Sequence, residues 1–258
     1  MRRKYADLGI MIPPDMLSRE GIDSFISLLK ELDIKLVALT ARNREEIRQL
    51  RDLARRYDED VDIVVRLNIS TKERSSLLKL LKARREVEVV AVECLTQSIA
   101  RIAAKDSRVD LLYFPFKQRV SLGATEVRLR DDRATWGVEL RFWDLVRCEK
   151  WILLQRIREA IALALSQGVP IVLTSGARDF LELRSPRDMA FILSLFDVNE
   201  EDAIKSIADN PFEIVKRNRE KLSGSHVLPG VKVVGRDEGY EISTKVPGIE
   251  SYQPRKIK

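Results

Sequence analysis

The side chains best suited to chemistry lie where short β-branched runs of the sequence end, usually just before a predicted helix. In barrels of parallel strands the carboxyl ends of all strands meet at one face, so these side chains are predicted to lie close together. Two carboxylates in such a place could hold a divalent cation or transfer protons. The candidates are Asp7, Thr40, Arg66, Asn68, Glu93, Cys94, Glu139, Arg141 and residues 174–177.

The carboxylates among these candidates allow two interpretations. Asp7 with Glu93 or Glu139 could form a metal or acid–base site, or the acids could pair with Arg66 and Arg141 inside the mouth of a barrel. No HxH, HExxH or DxD pattern at these positions supports a metal. We therefore favour ion pairs.

Histidine and cysteine usage narrows the chemistry further. The only histidine, His226, lies in a Gly-rich tail, so an active site built on imidazole groups is excluded. Cys94 has no histidine to activate it, and we interpret it as a core thiol. Cys94 and Cys148 are the only cysteines, too few for a disulfide framework, and this sparse usage fits a reducing cytoplasm.

Composition indicates a soluble, basic protein. The 45% hydrophobic content supports a sizeable core, and the net charge of +6 with a pI of about 9.3 is compatible with nucleic-acid binding. Heavily charged thermophilic proteins reach such values without binding nucleic acid. Apolar runs are far shorter than the roughly 20 residues that span a membrane, and the N-terminus does not resemble a signal peptide. We expect no membrane association.

Basic residues are concentrated after the predicted strands and in the last helix. Arginine forks match phosphate oxygens, whereas the competing interpretation is a solvated helix face, or cations placed at a helix C-terminus. Three tryptophans, at positions 136, 143 and 151, could stack on bases but are interpreted as core. The basic groups are Arg128, Arg130, Arg133, Arg141 and Arg147; Arg178, Arg184 and Arg187; and Lys216, Arg217, Arg219 and Lys221.

The elements that would position these residues alternate between strand and helix. Continuous apolar strands such as residues 171–173 are typical of parallel sheets, and no GxGxxG motif is present. We therefore predict an α/β fold, a TIM-barrel-like arrangement of about seven parallel strands with outer helices. The predicted strands are residues 5–12, 35–39, 62–69, 88–92, 109–114, 137–142 and 170–174.

Capping residues predict where several helices begin. Asn43 and Ser70 are each followed three residues later by glutamate, and prolines follow Ser185 and Asn210. Further helices are predicted over residues 23–31, 96–105 and 148–167 and from Asn199, whereas residues 117–133 could not be assigned. Residues 1–221 are predicted to form the barrel domain, and residues 222–258 a Gly/Pro-rich basic tail, extended or partly disordered, with short β pieces such as 231–234.

Several sequence segments in a fixed order resemble one protein family. These are Leu-Thr-Ser-Gly-Ala-Arg at 173–178, Leu-Arg-Ser-Pro-Arg-Asp at 183–188 and Asn-Pro-Phe-Glu-Ile-Val-Lys-Arg-Asn at 210–218. Upstream segments at 5–8, 89–93, 100–104, 109–112 and 137–140 fit the same order. Over roughly residues 4–221 the chain resembles ribonuclease P protein component 3, the archaeal counterpart of the eukaryotic thirty-kilodalton subunit.

This resemblance implies a barrel related to the polymerase-and-histidinol-phosphatase superfamily and a role as a protein cofactor. The RNA subunit would perform the Mg²⁺-assisted hydrolysis that frees the 5′ leader of precursor tRNA, while the protein binds no cofactor. The implied partners are ribonuclease P RNA, precursor tRNA within the holoenzyme, protein component 2 and other protein subunits, in the cytoplasm.

The resemblance and the basic groups together give a set of predicted RNA-binding residues and no catalytic or metal-binding residue. Family positions that carry over are Arg101, Ser175, Gly176, Ala177, Arg184 and Pro186. The predicted RNA contacts are Arg66, Arg101, Arg141, Arg147, Arg178, Arg184, Lys216 and Arg217. The main alternative is a stand-alone metal-dependent phosphoesterase of barrel fold, and a third hypothesis is a scaffold that binds only a protein partner.

Overall fold

Seven parallel strands form the central sheet of the computed structural model, which describes residues 4–17, 19–56, 61–116, 118, 120–130, 134–222, 226–228 and 231–232. The strands pair in chain order and form a nearly closed barrel, which confirms the predicted TIM-barrel-like fold. They are β1 (Tyr5–Ile10), β2 (Ile34–Ala41), β3 (Asp62–Ser70), β4 (Val89–Glu93), β5 (Leu111–Tyr113), β6 (Gly137–Arg141) and β7 (Ile171–Thr174).

Helices link successive strands and pack on the outside of the sheet through a large apolar cluster. Short 3₁₀ helices cover Pro14–Leu17, Leu81–Glu86, Phe180–Glu182 and Phe191–Phe196. The α-helices are α1 (Arg19–Glu31), α2 (Arg44–Ala54), α3 (Arg74–Leu80), α4 (Gln97–Lys105), α5 (Ala124–Arg128), α6 (Phe142–Val146), α7 (Trp151–Ser166), α8 (Pro186–Ala190), α9 (Glu200–Ile207) and α10 (Asp209–Leu222).

Helix starts follow the predicted capping residues where the preceding loop is free to extend. Asn43 accepts a hydrogen bond from the Glu46 N–H at 2.9 Å, and Asn199 accepts one from the Asp202 N–H at 2.8 Å. The predicted start at Ser70 is wrong, because β3 continues through that residue and α3 begins four residues later. These outcomes show that a capping pattern marks a helix start only beyond the end of the strand.

The predicted cap at Asn210 is also wrong, because α10 already begins at Asp209. The Asn210 side chain leaves the helix to donate a 2.8 Å hydrogen bond to the Ile171 carbonyl. This bond ties α10 to the beginning of β7.

The last helix, α10, closes the amino end of the barrel. Its Asn218 side chain donates to the Glu88 carbonyl at 2.8 Å, and Arg217 donates to the Thr135 carbonyl at 3.0 Å, directly before β4 and β6. Apolar side chains of α10 pack against inward-facing strand residues in a second, separate core. This inner core contains Ala6, Leu8, Leu36, Ala38, Val64, Val89, Ala91, Leu111, Val172, Ile214 and Val215.

The first and last strands meet at a seam that small and polar groups hold together. Met11 N–H donates to the Ala177 carbonyl at 2.7 Å. A Cβ on Gly9 would lie 2.5 Å from the Thr174 side chain, so only glycine allows β1 to approach β7 this closely. The seam therefore depends on the absence of a side chain at position 9.

Beyond α10 the structure describes two short strands, β8 (His226–Leu228) and β9 (Val231–Lys232), which pair in antiparallel fashion. The predicted β piece at 231–234 is thus observed over its first two residues. Residues 223–225, 229–230 and 233–258 lie outside the described residues, and the division into a barrel domain and a tail stays a prediction. Among the helices that the structure describes, none is long and apolar enough to cross a membrane.

Candidate functional site

The carboxyl end of the barrel contains a buried ion pair between β3 and β6. Arg66 Nη1 lies 2.8 Å from Glu139 Oε1, and Arg66 Nη2 lies 2.6 Å from Oε2, so the two groups form a bidentate pair. Both side chains are completely buried. Arg66 also donates to the Leu8 carbonyl at 2.7 Å. This pair joins opposite sides of the barrel interior.

Arg141 extends the pair into a network. Its Nε lies 3.3 Å from Glu139 Oε1, and its Nη1 lies 3.1 Å from Glu93 Oε1. The Cζ of Arg141 lies 3.6 Å from the centroid of the Tyr113 ring, a cation–π contact. Two arginines and two glutamates from β3, β4 and β6 are thereby held in one cluster, which we call the mouth network: Arg66, Glu93, Glu139 and Arg141.

Ionisation of the mouth network follows from its pairing. Burial by itself would raise the pKa of Glu139, but the charges of Arg66 and Arg141 lower that pKa to about 2. Burial also opposes ionisation of Glu93, whose pKa is nevertheless lowered by hydrogen bonds from Ser70 and Asn68 and by Arg141. Both glutamates are therefore ionised at neutral pH, and the favoured ion-pair interpretation is confirmed for them.

Asp7 differs from that interpretation. Its Oδ1 accepts the N–H groups of Gly9 at 3.0 Å and Ser175 at 3.1 Å, while its Oδ2 has no hydrogen-bond partner among the described residues. Burial is the largest influence and raises the pKa of Asp7. The prediction that Asp7 pairs with an arginine is wrong, because its carboxyl group instead links the backbone of β1 to the loop after β7.

Two of the predicted RNA contacts are contradicted by burial. Arg66 is inaccessible, and only 7% of the Arg141 side chain is exposed. A phosphate group cannot reach either guanidinium without breaking the mouth network, so both predictions are wrong. Strand alternation points these residues into the interior of the nearly closed barrel, away from the surface that RNA could reach.

An exposed group of arginines lies beside the mouth, on the segments that follow β6 and β7. We call Arg147, Arg178 and Arg184 the arginine cluster. The guanidinium groups of Arg147 and Arg184 lie 5.1 Å and 5.0 Å from the Trp143 ring centroid, within cation–π range. The indole Nε1 of Trp143 donates to the Glu182 carbonyl at 2.7 Å, which fixes the ring between the two segments. Trp143 therefore organises the cluster.

Glu182 partly neutralises the arginine cluster. Its carboxylate forms an ion pair with Arg147 and accepts the backbone N–H of Arg178 at 2.9 Å. Arg184 donates to the carbonyls of Leu181 and Leu183 at 2.6 and 2.7 Å. Arg147 and Arg184 thus make contacts within the protein, whereas Arg178 is an exposed residue of the loop after β7.

The tryptophan and cysteine interpretations have mixed outcomes. Trp136 is buried and donates to the Ala104 carbonyl at 2.9 Å, as expected for the core, whereas 72% of Trp151 is exposed and the core interpretation is wrong for it. Cys94 is fully buried, and burial raises its pKa above the ordinary range. The interpretation of Cys94 as a core thiol is confirmed.

The remaining predicted RNA contacts lie elsewhere on the barrel. Lys216 is exposed on α10, and Arg217 is committed in part to the Thr135 carbonyl and to Asp110, at 3.4 Å. Both belong to the amino end, opposite the mouth. Arg101 lies on α4 with 55% of its side chain exposed. The exposed predicted contacts therefore lie on three separate surfaces: the arginine cluster beside the mouth, the helix α10 at the amino end, and α4.

Sequence reasoning missed two basic residues that share a groove with Arg101. Arg74, Lys105, Ile102 and Asp106 line this cavity of about 360 Å³ between α3 and α4. The four-residue spacing between Arg101 and Lys105 was the available signal, because it places both on one helix face. The contribution of α3 could not be found without the packing of the two helices.

Comparisons with known proteins agree with this architecture. The model of the family described as RNase P subunit p30 matches residues 4–223. Ribonuclease P protein component 3 of Methanococcoides burtonii is 27% identical over 96% of this chain and 99% of its own length. The same component of Methanothermobacter thermautotrophicus is 27% identical over 72% of this chain and 79% of its own length.

Among solved structures, a chain from the cryo-EM structure of archaeal ribonuclease P with mature tRNA superimposes with a TM-score of 0.71. It is 21% identical in sequence, and the match covers 91% of this chain and all of that chain. This similarity supports the fold. Because the family model spans the whole barrel, the chain belongs to the RNase P subunit p30 family.

Proposed function

We propose that this chain is a non-catalytic protein subunit of ribonuclease P, which supports the RNA subunit in removing the 5′ leader from precursor tRNA. The observation that carries the proposal is the state of the barrel mouth. Barrel enzymes place catalytic groups at this end. Here the carboxylates of Glu93 and Glu139 are instead paired with guanidinium groups of arginine. Exposed cations lie instead on the segments beside the mouth.

The proposed partners are ribonuclease P RNA, precursor tRNA within the holoenzyme, protein component 2 and other protein subunits. Support comes from family membership and from the likeness to a chain of an archaeal complex that contains tRNA. The Mg²⁺ ions would be held by the RNA subunit, and the protein would act in the cytoplasm. Neither role requires a metal or cofactor on this chain.

The arginine cluster supplies the proposed RNA contacts near the mouth. Trp143 and the carbonyls of the 181–183 segment hold Arg147 and Arg184 in place, so these cations lose little side-chain freedom on binding. Arginine contacts to phosphate screen repulsion between RNA segments without reading sequence. Binding is therefore expected to weaken steeply with salt through counterion release.

Reconstitution tests the proposal. Ribonuclease P RNA and protein component 2 would be assembled with and without this chain, and cleavage of precursor tRNA would be measured at low Mg²⁺. We expect cleavage to increase when the chain is added and the purified chain to cleave nothing alone. Equal cleavage in the two assemblies would contradict the proposal.

The alternative of a stand-alone metal-dependent phosphoesterase is disfavoured, because the described residues contain no group of three or more His, Cys, Asp or Glu side chains that could hold a metal ion. Such an enzyme needs carboxylates that are available at the mouth, and Glu139 is fully engaged by Arg66, Arg141 and Thr174. Phosphatase turnover by the purified chain in the presence of Mn²⁺ or Zn²⁺ would support the phosphoesterase alternative.

A further inference from the structure

The groove between α3 and α4 gathers positive charge on the outer surface of the barrel. Arg74 from α3 and Arg101 and Lys105 from α4 line it, with Ile102 supplying an apolar wall. All three cations are exposed. The two helices follow β3 and β4, so the groove is well separated around the barrel from the arginine cluster after β6 and β7.

The buried carboxylate of Glu126 holds the guanidinium group of Arg101 in a defined orientation. Glu126, only 1% exposed, lies 3.4 Å from Arg101 Nε and also accepts the side-chain amide of Gln97 at 2.7 Å and the N–H of Gly123 at 3.1 Å. Because Glu126 engages the Nε, the outer edge of the Arg101 guanidinium remains available to a ligand. Glu126 lies on the short helix α5, which packs against α4.

Asp106, the acidic residue that lines the groove, is already paired with Arg108. Both Asp106 oxygens accept from Arg108, at 2.8 Å and 2.6 Å, and this hydrogen bonding overcomes the effect of burial and lowers the pKa of Asp106. The groove and its immediate partners therefore contain four cations and two acids. The excess of positive charge faces the cavity through Arg74 and Lys105, which the acids leave unneutralised.

We propose that this groove binds the phosphate backbone of an RNA strand, with Arg74, Arg101 and Lys105 each contacting a phosphate. The inference rests on the proposed function and adds a second RNA contact, away from the arginine cluster. Phosphate is favoured over an acidic protein segment because three exposed cations from two helices line the groove around one apolar side chain, Ile102. Its single apolar wall is too small for the hydrophobic centre that protein interfaces require.

Neutral substitutions in the groove test the proposal. We would combine Arg74→Gln with Lys105→Gln, since neither side chain contacts Glu126 and the fold should be unaffected. The matched control combines Lys79→Gln with Lys82→Gln, which removes the same charge from exposed positions on the same segment that do not line the groove. The chain would be assembled with protein component 2, and its affinity for ribonuclease P RNA measured against salt concentration.

Loss of two phosphate contacts should reduce the slope of log affinity against log salt by about 1.4 to 1.8, which corresponds to roughly 25- to 60-fold weaker binding at 0.1 M salt. The control should bind with the unchanged slope of the wild type. If the groove variant and the control behave alike while the wild type binds RNA, the groove proposal is overturned. If the wild type itself neither binds the RNA nor promotes cleavage, the proposed function fails instead.

Discussion

Replacing Glu139 by glutamine should destabilise the barrel strongly. The amide removes the negative charge that Arg66 and Arg141 share, so Arg66 would remain fully buried without its carboxylate partner and Arg141 would keep only Glu93. Removing one member of a buried ion pair costs about 3–5 kcal/mol, because the uncompensated charge stays desolvated. The change in shape is minimal, so cavity formation adds little.

Urea unfolding followed by circular dichroism would measure this loss of unfolding free energy. In a thermal scan, the same loss should lower the melting temperature of a domain of this size by about 6–20 °C. Asp52→Asn is the matched control, because Asp52 forms an exposed ion pair with Arg55 and the same chemical change should cost less than about 1 kcal/mol. A Glu139→Gln protein as stable as the control would refute the view that the mouth network is held together by charge.

Lowering the pH should reduce the difference in unfolding free energy between the wild type and Glu139→Gln. The pKa of Glu139 is lowered from an ordinary 4.5 to about 2, so the folded state binds the proton less readily than the unfolded state. The stabilisation is complete above about pH 4.5 and is lost as pH falls toward 2. The stability gap between wild type and Glu139→Gln should therefore narrow across this window, and a gap independent of pH would contradict the pairing.

Other perturbations address the seam, the thiols and the arginine cluster. Gly9→Ala should lower the unfolding free energy by about 1–3 kcal/mol, because its Cβ would overlap a side chain of β7; an unchanged melting temperature would contradict the close approach. In a thiol-titration assay Cys148 should react in the native protein and Cys94 only after unfolding, whereas two fast thiols would argue against burial of Cys94. Arg178→Ala combined with Arg184→Ala should reduce activation of the RNA at low Mg²⁺ several-fold while near-ultraviolet circular dichroism stays native, and full activation would remove the cluster from the RNA interface.

The strands were predictable because each is short, rich in apolar residues and buried on both faces, as is typical of parallel strands. Helices α5 and α6 were not, since each has five residues and α5 lies in a charged segment without apolar periodicity. The acid of α5, Glu126, is buried through partners at Gln97 and Arg101 that are distant in sequence. Local pattern carries no information about such contacts.

The candidate site was predictable in its membership but not in its exposure. Strand ends identified Arg66, Glu93, Glu139 and Arg141 as neighbours, and opposite charges indicated that they would pair. Whether an arginine faces RNA or the barrel interior depends on closure of the sheet, which the sequence does not encode locally. The groove at Arg74 depends on how α3 and α4 pack together, and this packing is likewise not encoded in a local sequence pattern.

Closure of the barrel by α10 has a consequence for the order of folding. The inner core stays open to water until residues near the end of the barrel sequence, including Ile214 and Val215, reach the strands formed from its beginning. Contacts of such long sequence separation form late and slowly. During synthesis the β–α units emerge one by one with an unfinished interior, so their inner apolar side chains stay exposed until α10 has left the ribosome and docked.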